Sequence, residues 1–138
     1  MTYLLDTGVW YRAAAEPESI PSREAQILAD RSAQFGLSAI SLWEIAKKVQ
    51  IGKLELTKDL AAWFEDTTGA HITLLPLDAR TVVEATRLPA FPNRDPSDEL
   101  IVATARIHSL VLLTTDRALK NYAHARIHYF KPLAAPEG

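Results

Sequence analysis

Four acidic residues stand in similar local settings: Asp6 in YLLDTG, Glu44 in SLWEIA, Asp98 in DPSDELIVATA and Asp116 in LLTTD. Each follows or opens an apolar run. A carboxylate held against apolar structure is costly unless a cation compensates it. Their joint chemistry points to binding of a divalent cation. Oxygen ligands without any cysteine favour Mg²⁺ or Mn²⁺, one or two ions, over zinc.

The elements that must position these acids alternate along the chain. Residues 2–5 (TYLL) read as a buried strand, followed by a helix over 9–15, the EPESIP turn and a second helix over 22–34. GLSAI reads as a strand feeding a helix over 41–51, which Gly52 suits as a terminator. Residues 57–68 read as a helix, ITLLPL as a strand and 78–87 as a helix. A long loop, LPAFPNRDP, precedes an apolar helix over 97–108. VLLTT is then a strand, 117–123 a short helix and RIHYF a last strand. Such alternation predicts an α/β fold with a mainly parallel sheet covered on both faces.

In that frame Asp6 and Asp116 lie just past strand ends, where a parallel sheet opens its crevice. Glu44 and Asp98 fall in first helical turns. If the strands ending at Leu5 and Thr115 are neighbours, all four carboxylates meet at one edge. At about 4 Å separation, each pair then costs roughly 4 kcal/mol at an effective dielectric of about 20, so an ion-free cluster should hold extra protons.

Structural roles compete with this reading. Asp6 and Asp116 could each cap the turn or helix that follows. Ser41 and Glu44 form the S-x-x-E capping-box pattern, and Glu44 with Lys48 is an i,i+4 pair. Asp95 before Pro96 reads as an N-cap with proline at N1. Asp98 is harder to explain, because Ile101, Val102 and Ala105 put it on the apolar stripe. Its interaction with the helix dipole offsets only about 1 kcal/mol of the cost.

Composition narrows the alternatives. With 138 residues and 48% apolar content, one domain over 1–138 is expected. Fifteen basic and 17 acidic residues give a net charge of −2, so the chain lacks the overall basic field of a passive polyanion binder. No apolar run reaches about 18 residues, so no membrane span is expected, and the absence of cysteine suits a reducing, cytoplasmic setting.

The order LLDT, SAISLWEIAKKVQIGKLEL, FPNRDPSDELIVATA and LLTTD resembles the PIN-domain ribonucleases, most closely the VapC-type toxins of bacterial toxin–antitoxin pairs. The resemblance covers nearly the whole chain. It implies a three-layer α/β/α fold with a central parallel sheet of four to five strands. It also implies that Asp6, Glu44, Asp98 and Asp116 are metal ligands of an endoribonuclease, and that Thr114 helps arrange the site. Ser97 departs from the aromatic or apolar residue frequent in related sequences, which bears on packing under its helix. Hydrolysis would use a water acidified by the ion and attacking phosphorus in line. An acidic protein could thereby act on RNA.

Arg12, Lys47, Lys48, Arg94 and Arg117 are candidates to hold flanking phosphates, against the alternative of ordinary solvated surface. Trp10, Tyr11, Trp43 and Phe91 could stack on bases, though core or interface packing is the prior expectation. His124 and His128 have i,i+4 spacing but straddle a helix-to-strand boundary, so no zinc site is assigned to them; His71 and His108 receive no role. The toxin resemblance implies homodimers and a cognate antitoxin whose basic tail reaches the acidic site. Two other readings stand beside it: a catalytically weak PIN-like binding module, and a homodimeric aspartic protease built on Asp6-Thr7-Gly8. The protease requires an all-β chain, which the helical signals oppose.

Overall fold

The computed structural model describes residues 1–134. Five strands, β1 (Tyr3–Leu5), β2 (Phe35–Ser38), β3 (Ile72–Leu75), β4 (Val111–Thr114) and β5 (Ile127–Tyr129), form one sheet in the order β3-β2-β1-β4-β5. Every pairing is parallel. The chain builds outward from β1 through β2 to β3, then returns to β1's other side for β4. The carboxyl ends of β1 and β4 therefore flank a topological switch point, where such sheets open a crevice. Leu5 is in register with Leu113, so Asp6 and Thr114 leave the sheet side by side.

Two apolar layers cover the sheet because side chains alternate along each strand. Leu5, Phe35, Leu37 and Leu113 face one core, which receives Val9 and Trp10 from α1 (Thr7–Ala15) and Trp63 from α4 (Leu60–Thr67). Residues of α2 (Ser22–Leu28) pack against the same layer. Leu4 and Leu112 face the other core, filled by Ile101, Val102 and Ala105 of α6 (Pro96–Ile107), with α5 (Ala79–Ala85) packed beside α6. This is the three-layer α/β/α arrangement, with five strands and six α-helices among the described residues. Within these residues no helix is long and apolar enough to cross a membrane. The DTG motif is a strand-to-helix junction in a parallel α/β fold, which removes the all-β setting a protease would need.

Several boundaries differ from the sequence expectation, each for a local reason. α2 ends at Leu28, well before 34, because Asp30 accepts hydrogen bonds from the Ser32 amide and hydroxyl and closes a turn. The segment expected as a helix over 117–123 keeps only a single 3-10 turn, Arg117–Leu119. α3 spans Ala39–Gln50 and is capped by Ser38, whose hydroxyl accepts from the Ile40 amide. The Ser41 capping box is not formed, and Glu44 lies in the second turn. At the other end the Lys53 amide reaches the Lys48 carbonyl and the Gly52 amide the Val49 carbonyl, closing α3 with Gly52 at a φ of +79°. This is the glycine-terminated ending expected there.

Candidate metal centre

Asp6 ends β1 and caps α1. Its Oδ1 accepts from the Thr7 amide at 2.8 Å and its Oδ2 from the Thr114 hydroxyl at 2.5 Å. Thr114 is fully buried at the end of β4, and its oxygen also accepts from the Asp116 amide at 3.0 Å. One hydroxyl thus ties the two strand-end acids together across the switch point. Asp116 caps the following turn through the Ala118 amide, so its expected structural role is present while its carboxylate stays beside the cluster.

Glu44 arrives from α3 on a second hydroxyl relay. The Thr7 hydroxyl donates to Glu44 Oε1 at 2.6 Å and lies 2.7 Å from the Ser41 hydroxyl. Thr7 has one proton, so while Glu44 is ionised Ser41 must be the donor to Thr7. Ser41, expected to cap its own helix, is instead buried and joins α3 to α1. Asp98 stands in the first turn of α6, behind the Asp95 N-cap and Pro96 as expected. Ile101, Val102 and Ala105 of the same stripe are buried. Asn93 donates to Asp98 Oδ2 at 3.0 Å and accepts from the Asp95 amide at 2.9 Å. Its loop is pinned where Tyr122 donates to the Pro89 carbonyl and packs edge-on against Phe91.

The electrostatics join the four acids. Burial pushes the Asp6 carboxyl up, opposed by its bonds from Thr114 and Thr7, with Asp116 raising it further. Glu44 is raised by burial against its bond from Thr7, and the nearby Asp6 charge adds to the rise. Asp98 is pushed up to about 7 by burial and by the charges of Asp6, Asp95 and Asp116, against the Asn93 bond. Among the described residues no lysine, arginine or histidine is within ion-pair distance of any of the four. Lys48 acts on Asp6 and Glu44 only as a nearby charge.

As the side chains are turned, no three acidic or histidine groups among the described residues close around one point tightly enough to hold an ion. The donor set nevertheless suits a hard divalent cation. An ionised carboxylate offers about four acceptor positions. Asp6 uses two, and Glu44, Asp98 and Asp116 one each. Negative charge that no ion pair neutralises among the described residues, and oxygens with spare lone pairs, are what such an ion requires.

Of the proposed phosphate-holding cations, Arg12 faces Glu16 at 3.4 Å and Lys47 reaches Gln50 at 2.7 Å; Arg94 and Arg117 are exposed. Arg12, Lys48 and Lys53 line a cleft of about 420 Å³ with Thr7, Gly8 and Thr115. Trp10 is buried 5.0 Å from Trp63, Tyr11 also packs on Trp63, and Phe91 packs on Tyr122. Trp43 alone of the four is exposed. His128 faces buried Glu24 at 3.0 Å and His124 lies edge-on to Tyr122, so each is occupied separately. The sequence reading missed Thr7, Ser41 as a linker, Asn93 and Lys53. Thr7 adjoins Asp6 and Asn93 lies two residues before Asp95, so proximity to the acids was the available signal.

A parallel sheet whose switch point gathers carboxylates from β1, α3, α6 and the end of β4 defines an α/β domain built around an acidic centre. The PIN domain family matches residues 3–125, and the chain belongs to that family. It is 30% identical to Ribonuclease VapC22 of Mycobacterium tuberculosis over 125 residues, covering 91% of this chain and 95% of that protein. The fold matches the DNA-bound VapBC structure from Salmonella typhimurium with a TM-score of 0.71 at 16% identity, covering 94% of this chain and 98% of that one. A toxin-antitoxin complex from Klebsiella pneumoniae matches with a TM-score of 0.63 at 16% identity, covering 94% and 99%.

Proposed function

We propose that this chain is a divalent-metal-dependent endoribonuclease and the toxin of a toxin–antitoxin pair. The observation that carries the reading is the junction of β1 and β4, where two hydroxyl relays hold Asp6, Glu44 and Asp116, Asn93 holds Asp98, and no ion-pair partner faces any of the four among the described residues. The ribonuclease relative and family membership support it. Asp6, Glu44, Asp98 and Asp116 would hold Mg²⁺ or Mn²⁺. When bound, such an ion supplies positive charge for a scissile phosphate and lowers the pKa of the attacking water.

The chain's own residues do the rest. Thr114 orients Asp6 and keeps Asp116 beside it. Thr7 and Ser41 fix Glu44, and Asn93 holds Asp98 through one carboxylate oxygen, leaving the other without a protein partner among the described residues. Lys48 partly offsets the charge of Asp6 and Glu44, and with Arg12 and Lys53 it lines the path for flanking phosphates. The toxin–antitoxin neighbours support a partner protein, and in this reading that partner covers the acidic edge and the chain forms homodimers.

Cleavage of total RNA with Mg²⁺ or Mn²⁺, repeated in EDTA and with Asp6→Ala and Asp98→Ala, tests the mechanism. The expected result is loss of cleavage in all three controls; activity surviving EDTA and either substitution overturns it. Coexpression with the adjacent upstream reading frame tests the toxin role, with relief of growth arrest expected.

A further inference from the structure

We infer that Trp43 is a stacking platform for an unpaired base of the RNA substrate, with Lys47, Lys48 and Lys53 holding the phosphates beside it. The inference rests on the ribonuclease reading and adds to it a residue that selects single-stranded over duplex RNA. Trp43 is 60% exposed on α3, next to Glu44 in sequence. It lines a groove of about 240 Å³ with Glu44, Lys47, Lys48, Ile51, Lys53 and Ser97.

Three features of that groove select its occupant. First, the indole is largely exposed, and every base can stack on an aromatic face regardless of sequence. Second, Lys47 Nζ already lies 5.8 Å from the ring centroid, so the aromatic face is paired with a cation that can turn to a phosphate. Third, Glu44 belongs to both this groove and the acidic centre. Lys48 and Lys53 line this groove and also the larger cleft that contains Thr7 and Thr115. A strand whose scissile phosphate sits at the acids therefore has its neighbouring nucleotide at Trp43, with lysines on its backbone. A protein surface would gain the apolar contact of Trp43 and Ile51 but would need its own acids to satisfy three lysines. A polynucleotide satisfies both at once. Ser97 contributes the α6 side of the groove.

The test is anisotropy of a fluorescein-labelled single-stranded oligoribonucleotide in EDTA at low salt, where binding is read without cleavage. An RNA duplex serves as control, and sedimentation velocity is run on each variant. Trp43→Ala should weaken single-strand binding by between about 5- and 140-fold, the range that removal of one stacked base produces, with duplex binding little changed. Trp43→Phe should restore most of it. Lys47→Ala should lower the slope of log affinity against log salt by about 0.7 for each phosphate the variant no longer neutralises, leaving the single-strand preference intact.

Unchanged single-strand binding by Trp43→Ala, or equal weakening on single strand and duplex, overturns the platform. So does an altered sedimentation coefficient with unchanged RNA binding, which assigns Trp43 to a protein contact. If the wild type binds RNA through Trp43 yet cleaves none with Mg²⁺ or Mn²⁺, the nuclease reading falls and the platform stands. Cleavage with normal RNA binding by Trp43→Ala gives the converse.

Discussion

Replacing Asp98 with asparagine should abolish cleavage and yet stabilise the metal-free fold at neutral pH. Asp98 takes its proton in the folded state at about 7, against an ordinary value of 3.8, because it is half-buried and faces Asp6, Asp95 and Asp116. The difference corresponds to a ceiling of about 4 kcal/mol at about 1.4 kcal/mol per pH unit, and solvent screening of a half-buried group reduces it to roughly 2 kcal/mol. Between pH 3.8 and about 7 the folded state binds more protons than the unfolded state, so stability falls as pH rises and the loss is complete above about 7. Asp6 and Glu44 are raised as well and act in the same direction.

Asparagine cannot ionise, and its carbonyl oxygen can still accept from Asn93. Thermal unfolding followed by circular dichroism in EDTA should therefore show Asp98→Asn melting roughly 6 to 10 °C above wild type at about pH 7.5, with the gap narrowing by more than half at about pH 5. Excess Mg²⁺ should raise the wild-type midpoint at neutral pH and leave the variant nearly unmoved. A variant that melts at or below wild type at neutral pH in EDTA, or a wild type that gains stability between pH 5 and 7.5, would refute the charge-cluster argument.

Two further perturbations probe the supports of the site. Thr7→Val leaves the buried Ser41 hydroxyl without its partner and frees Glu44; it should cost about 1–3 kcal/mol by denaturant unfolding and lower cleavage, while Thr7→Ser keeps both. Gly52→Ala places a side chain at a φ of +79° and should cost about 1–2 kcal/mol by the same measurement, through the end of α3 that carries Lys53.

The acids could be found from the sequence because Asp6 and Asp116 follow apolar strands, while Glu44 and Asp98 stand among the apolar residues of helices, Asp98 on the apolar stripe itself. The parallel α/β class followed from the alternation of short strands and helices, and Gly52 from the preference for glycine at a left-handed helix end. Glu44 shows where local pattern failed. Ser41 and Glu44 satisfy the capping-box spacing, but Ser38 is also a cap, and the contact with Thr7 on α1 lies 37 residues away in sequence. No local rule contains such a contact. The same holds for Trp43: its residue type is compatible with core, interface or platform, and its exposure became known only once α3 was laid against its neighbours. The chain's own residue order therefore determined which groups carry chemistry and which elements deliver them. Tertiary structure decided that β1 and β4 are adjacent, that Thr114 and Thr7 tie Asp6, Glu44 and Asp116 together while Asn93 holds Asp98, and which aromatic faces solvent. Those outcomes depend on burial and Coulomb terms between elements far apart in sequence.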